Sequence, residues 1–100
     1  MKLYIVVRNT LSAGLMAAQA VHAFRAFTLA YPAETAAWDA SNNIVILQHE
    51  DIPTLADLLE ACGLAVARFH EPDMDDQLTA FCVEPAAKRR VAGLRLAGMG

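Results

Sequence analysis

The 100-residue chain has few charged residues and no apolar run long enough to cross a bilayer. Charged residues make up 19% of it and the formal net charge is -3. This balance argues against a general nucleic-acid binder, because affinity for a phosphate backbone comes mainly from clustered lysine and arginine, although a local basic patch is compatible with it. The apolar run at the amino terminus is interrupted by Arg8, well short of a signal-peptide core. We therefore expect no membrane association and a cytoplasmic location.

The chain also lacks the common signatures of covalent and metal-dependent catalysis. Its two cysteines, Cys62 and Cys82, do not have the C-x-x-C spacing of metal ligands, and we interpret each as a small buried hydrophobe in a reducing compartment. Glycine-rich phosphate loops, G-x-S-x-G elbows and H-E-x-x-H helices are absent. We therefore expect no cofactor and no bound metal.

What the chain has in quantity is apolar residues, at 56% of the sequence. Together with its length, this predicts one compact domain over residues 1–100. Apolar periodicity and the capping residues predict strands over 3–7, 44–47, 64–69 and 78–83, and helices over 13–31, 51–63 and 85–94, with a short helical piece over 33–38. The predicted order is β-α-β-α-β-β-α.

This order predicts an α/β fold with a mainly parallel sheet and helices on both of its faces, since strand–helix–strand units make right-handed crossovers. The link over 71–77 is too short for a helical crossover, so the last two strands cannot be parallel neighbours. We therefore expect a three-layer α/β/α sandwich around a four-stranded mixed sheet.

Two polar side chains interrupt the first predicted helix, which is otherwise almost entirely apolar. Gln19 and His22 are three residues apart and lie on one helical face. Polar groups in such a helix need partners, so they either satisfy the core or line a site. The second alternative has a structural basis, because this helix follows a strand at the edge where open α/β folds bind ligands.

Two charged runs lie nearer the carboxyl terminus. Residues 71–76 carry four carboxylates, at Glu71, Asp73, Asp75 and Asp76. Such crowding can raise the pKa of one carboxyl and make it a usable acid or base, whereas the alternatives are a solvated acidic loop or a divalent-metal site. The basic run over 88–90 is either a solvated helix face or a phosphate contact.

Several blocks of the sequence, in order, resemble the archaeal and eukaryotic type of peptidyl-tRNA hydrolase over nearly the whole chain. They are V-V-R-N at 6–9, A-A-Q-x-x-H-A at 17–23, and the strand over 78–84 that ends at Pro85. The segments E-P-D at 71–73 and Q-L-T at 77–79 are similar to a compact bacterial branch, in which this loop replaces a longer D-A-G-x-T-Q segment.

The resemblance implies hydrolysis of the ester between a peptidyl group and the terminal ribose of tRNA, by a protein that is commonly dimeric. The catalytic residues it implies are Asp73, Gln19, His22 and Thr79. The substrate-binding residues it implies are Arg8, Asn9, Gln77, Lys88, Arg89 and Arg90. In these roles Asp73 accepts a proton, Thr79 positions the water or the ribose, and His22 fixes geometry, while Gln19 or nearby helix amides stabilise the oxyanion.

The chain departs from the family pattern just before this motif. Typical members read G-K-G-K-x-A-A-Q, whereas Leu15 stands here in place of a functional lysine, and the preceding loop is about two residues shorter. Asp75 and Asp76 compete with Asp73 for the role of the acid. The alternative function is therefore a catalytically weakened or inactive member that binds tRNA, a nucleotide or a protein partner.

Overall fold

The computed structural model describes residues 1–99, which form a mixed α/β fold. The strands are β1 (Lys2–Arg8), β2 (Asn43–His49), β3 (Val66–Glu71), β4 (Gln77–Val83) and β5 (Arg95–Leu96). The helices are α1 (Ala13–Ala30), α2 (Pro32–Asp39), α3 (Ile52–Ala61) and α4 (Lys88–Val91). Single turns of 3-10 helix occupy Pro72–Met74 and Pro85–Ala87.

The sheet has five strands in the order β3-β4-β1-β2-β5. Its β1–β2 pair is parallel and the other neighbouring pairs are antiparallel. The predicted mixed sheet is confirmed, and so is the prediction that β3 and β4 are not parallel neighbours. The prediction of a mainly parallel sheet was wrong, because β4 and β5 enter the sheet antiparallel to their neighbours. The predicted number of four strands was wrong. The predicted last helix breaks up, with α4 ending at Val91, and β5 then pairs with β2 through Leu96 opposite Leu47. A two-residue strand is too short to produce an alternating pattern in the sequence.

The helix boundaries follow local signals that are legible in the sequence. Ser12 caps α1, its hydroxyl accepting a hydrogen bond from the Leu15 amide, and Pro32 follows the end of that helix. Asp51 caps α3, and hydrogen bonds from Thr54 hold the pKa of its carboxyl below the ordinary value. Gly63 stops α3 with a φ of +82°, a conformation that glycine adopts without steric cost.

Alternating side chains of β1 belong to two separate hydrophobic clusters. The first cluster joins Leu3, Ile5 and Val7 to Ala20, Ala23 and Phe27 of α1. The second joins Tyr4 and Val6 to Ile52, Ala56 and Leu59 of α3. Successive side chains of a strand point to opposite faces, so β1 is covered on both sides, as its apolar sequence predicts.

Helix α1 packs mainly over β3, β4 and β1, and it leaves part of β2 uncovered. Ile44 and Ile46 are therefore 42% and 36% exposed, although they belong to an apolar strand.

Within residues 1–99, no helix combines the length and apolar content needed to cross a membrane.

Candidate functional site

A chain of hydrogen bonds between buried and half-buried side chains connects α1 to β3 and β4. The Thr79 hydroxyl donates to Oε1 of Gln19 over 2.7 Å, and Nε2 of Gln19 donates to Oε1 of Glu71 over 2.9 Å. Gln19 is 1% exposed and Thr79 is fully buried, whereas Glu71 is half-buried. The amide of Gln19 is thus satisfied at both ends, and the Glu71 carboxylate is held at the boundary with solvent.

A β-bulge places Thr79 in this chain. Phe69 of β3 pairs with Ala80 of β4, but the next residue, His70, pairs with Leu78, so Thr79 is the extra residue. Ala80 belongs to the first cluster and Leu78 to the second. Regular alternation would put Thr79 on the side away from α1, whereas the bulge turns its hydroxyl toward Gln19.

Glu71 is the site residue that sequence reasoning missed. The resemblance implies Asp73 as the functional acid, whereas the carboxylate in contact with Gln19 belongs to Glu71. The prediction ended β3 at Phe69, whereas the strand continues to Glu71. Extending the predicted strand by two residues would have placed Glu71 on the same face as Phe69, and this was the available signal.

The three aspartates lie in the turn between β3 and β4. Asp73 is exposed within the 3-10 turn, and Asp75 and Asp76 are exposed with φ values of +54° and +56°. Within residues 1–99, none of their carboxylates hydrogen-bonds to the Gln19 chain. Met74 packs against the first cluster, so the turn is anchored on the same side of the sheet as α1.

Arg8 lies at the end of β1 and reaches β4. Its Nη1 donates to Oε1 of Gln77 over 2.6 Å, while its buried Nε has no partner within the described residues 1–99. Asn9 is exposed, and its backbone amide donates to the carbonyl of His49. Arg8 and Gln77 are therefore brought together, and donors for an anion are left on the Nη atoms of the half-buried guanidinium, since the Nε is buried.

His22 is exposed, so it is not a histidine satisfied inside the core. Its ring stacks on Phe69 of β3, with centroids 4.5 Å apart and an interplanar angle of 16°. Leu15, one turn before Gln19, is 46% exposed. Of the two polar residues that interrupt α1, Gln19 is thus internal and His22 faces solvent.

The basic residues of α4 are separate from this group. Lys88, Arg89 and Arg90 are exposed, and the adjoining Ala87 and Val91 belong to the second cluster, which packs on α3. The first cluster, by contrast, packs on α1. Residues 88–90 thus adjoin the second cluster, whereas the hydrogen bonds of Gln19 lie beside the first.

The chain matches no protein-family model and no curated protein. A carboxylate held by a buried amide and a guanidinium with free donors are groups suited to acting on a polar, anionic substrate.

Proposed function

We propose that this protein is a hydrolase of the peptidyl-tRNA hydrolase type, acting on the ester between a peptidyl or N-blocked aminoacyl group and the 3′ ribose of tRNA. The observation that carries the proposal is the chain from Thr79 through Gln19 to Glu71. Through this chain the amide of Gln19, in the A-A-Q-x-x-H-A motif, orients the carboxylate of Glu71 at the boundary with solvent.

Within this proposal the carboxylate of Glu71 accepts the proton of the attacking water. Its Oε1 accepts the hydrogen bond from Gln19, and its Oε2 is the proposed acceptor of the proton. Gln19 and Thr79 are too deeply buried to touch a substrate, and they act as positioning residues. Asp73, which the resemblance makes the acid, belongs to the same acidic run and is the competing candidate.

Arg8 is proposed to bind the acceptor-end phosphate or the developing oxyanion, with Gln77 orienting its guanidinium and Asn9 flanking it. The hydrogen bond from Arg8 to Gln77 supports this arrangement. The basic residues of α4 adjoin the second cluster, and Arg8 lies at the end of β1. The body of the tRNA would therefore have to extend around the sheet to contact Lys88, Arg89 and Arg90.

The direct test is release of free tRNA from N-acetyl-aminoacyl-tRNA by purified protein. We expect Glu71→Gln to lower kcat/KM by roughly 100-fold or more, the contribution typical of a general base. Asp73→Asn should have a much smaller effect, and Asp39→Asn, an exposed change on α2, is the matched control. Loss of activity in Asp73→Asn alone would return the role to Asp73. Absence of turnover by the wild-type protein would refute the proposal.

The second candidate function is binding of tRNA or a nucleotide without ester cleavage. The observation that favours it is Leu15, whose exposed side chain occupies the place of a lysine that the family pattern requires. A leucine can neither bind phosphate nor stabilise an oxyanion. Binding of tRNA by a protein with no turnover would support this candidate.

Three further expectations accompany the proposal: a three-layer α/β/α order, a cytoplasmic location and a homodimer. The division of the core into two clusters supports the first. For the homodimer, the support is an apolar groove of about 120 Å³ between α1 and β2, lined by Ile5, Ala20, Val21, Phe24, Ile44 and Ile46. Light scattering at micromolar concentration tests the dimer, with Ile44→Lys as the disrupting variant and Leu58→Lys on α3 as its control.

A further inference from the structure

Two contacts connect α1 to β3, and they lie side by side. Gln19 contacts Glu71, and His22 contacts Phe69. The helix residues are three positions apart, which is about 4.5 Å along the helix axis, and the strand residues are two positions apart on one face. The stacked rings therefore lie about one helical turn from the carboxylate of the proposed site.

The stacked pair is open to solvent on one side. Phe69 covers one face of the His22 ring, yet His22 remains exposed. In the order β3-β4-β1-β2-β5, β3 is an edge strand, so within residues 1–99 no further strand packs beside this pair. The imidazole is thus held flat by the ring below it, with its other face free.

We propose that the free face of His22 is a stacking site for the terminal purine base of the acceptor end, an inference that rests on the proposed function. In an acceptor end the scissile ester and the terminal base are carried by the same ribose. A base-binding surface must therefore lie one sugar away from the acid that activates water. The separation between the Gln19–Glu71 contact and the His22–Phe69 contact meets this requirement.

The charges along α1 favour a nucleotide as the occupant. The helix contains no aspartate or glutamate, and Arg25 is exposed three residues beyond His22, one turn farther from the site. A strand whose last base stacks on His22 would bring a phosphate toward Arg25. Stacking on an aromatic face with a nearby cation is the usual way in which proteins bind single-stranded ends.

The experiment uses a trinucleotide, cytidine-cytidine-2-aminopurine riboside, as the probe, because 2-aminopurine loses fluorescence when it stacks. Wild-type protein should quench the probe. His22→Ala should raise its Kd about 10-fold or more, whereas His22→Phe, which keeps a stacking ring and removes both nitrogens, should restore binding. Arg25→Gln should weaken binding and make it less sensitive to salt, while Lys2→Gln, at the opposite end of the sheet, should change neither.

Kinetics on N-acetyl-aminoacyl-tRNA provide a second measurement. His22→Ala should raise KM with little change in kcat, and His22→Phe should return KM to the wild-type value.

A probe that is not quenched, or a His22→Phe variant as impaired as His22→Ala, would overturn the stacking site. Because quenching requires no ester cleavage, it would still occur in a protein without hydrolase activity, and the two proposals fail separately. Displacement of the probe by N-acetyl-phenylalanine amide but not by adenosine would assign the surface to the acyl group and refute the inference.

Discussion

The hydroxyl of Thr79 donates a hydrogen bond to Oε1 of Gln19, a residue 60 positions away in the sequence. Both side chains are almost completely buried, so neither can turn to water if the other is removed. The energetic consequence is asymmetric. Loss of one partner leaves the other with an unsatisfied polar atom in the core, which costs more than the net gain from the bond itself.

Thr79→Val keeps the side-chain shape and removes the donor. We expect it to lower the free energy of unfolding by about 1–3 kcal/mol, because Oε1 of Gln19 is left unsatisfied. Urea denaturation measures the change. Thr79→Ser retains the hydroxyl and should lose less, and equal stability of Thr79→Val and wild type would show that the bond contributes nothing.

Leu15→Lys tests whether the absence of the family's lysine lowers the hydrolytic activity. A lysine at this exposed position, one turn before Gln19, would add a cation beside the site. We expect kcat/KM for N-acetyl-aminoacyl-tRNA to rise about 10-fold or more, with a steeper dependence on salt. Leu29→Lys introduces the same charge at the far end of α1, where Leu29 is 66% exposed, and should have no such effect. Identical kinetics in the two variants would contradict the prediction.

Asp76→Gly should stabilise the protein. The φ of Asp76 is +56°, a left-handed conformation that costs an ordinary residue about 1–2 kcal/mol, while glycine pays about 0.5–1 kcal/mol in entropy. The expected net gain is up to about 1 kcal/mol in the free energy of unfolding. Asp73→Gly has no positive φ to relieve and should be neutral or destabilising. If Asp76→Gly is more stable but less active, its carboxylate contributes to function.

Cys82 predicts how stability depends on alkaline pH. Burial raises the pKa of its thiol from 9.0 to about 12. Between these values the unfolded state loses the proton first, so the stabilisation is complete below about pH 9 and is lost as the pH rises toward 12. The slope from this group is at most about 1.4 kcal/mol per pH unit. Urea unfolding at pH 8, 9 and 10 should therefore show a shallower decline for Cys82→Ala than for wild type.

Cys62→Ala is the control for that measurement. Cys62 is exposed, so the interpretation of it as a buried hydrophobe was wrong, and Cys62→Ala makes the same substitution at a thiol outside the core. The same contrast predicts that a thiol reagent modifies Cys62 in the native protein and Cys82 only after unfolding. Parallel slopes for Cys82→Ala and wild type would mean that another group dominates the alkaline limb.

Most of the fold could be predicted because its signals are local. Ser12, Pro32 and Gly63 mark helix ends by capping or by backbone preference, and these effects depend on few neighbours. The strand β5 could not be predicted, since Arg95 and Leu96 become a strand only through pairing with β2. Pairing of that kind is a tertiary effect that a two-residue segment does not encode.

The candidate site was predicted in part, for a related reason. Gln19 stood out because an amide in an apolar helix needs partners, and the structure supplies two. The identity of those partners depended on where β3 ends and on a bulge in β4, and the bulge has no local signature in this sequence. The resemblance implies Asp73 as the acid, whereas the contact with Gln19 makes Glu71, at the end of β3, a second candidate.

The bulge also determines where this protein can change length. The bulge lies after Gln77, within β4. Residues added to the turn over 72–76 would therefore leave the Thr79 side chain directed toward Gln19. Deleting Thr79, the one residue between Leu78 and Ala80, would instead restore regular alternation and remove the hydroxyl that donates to Gln19. The fold thus confines insertions and deletions to the turn, where they alter the rim of the site without dismantling its buried support.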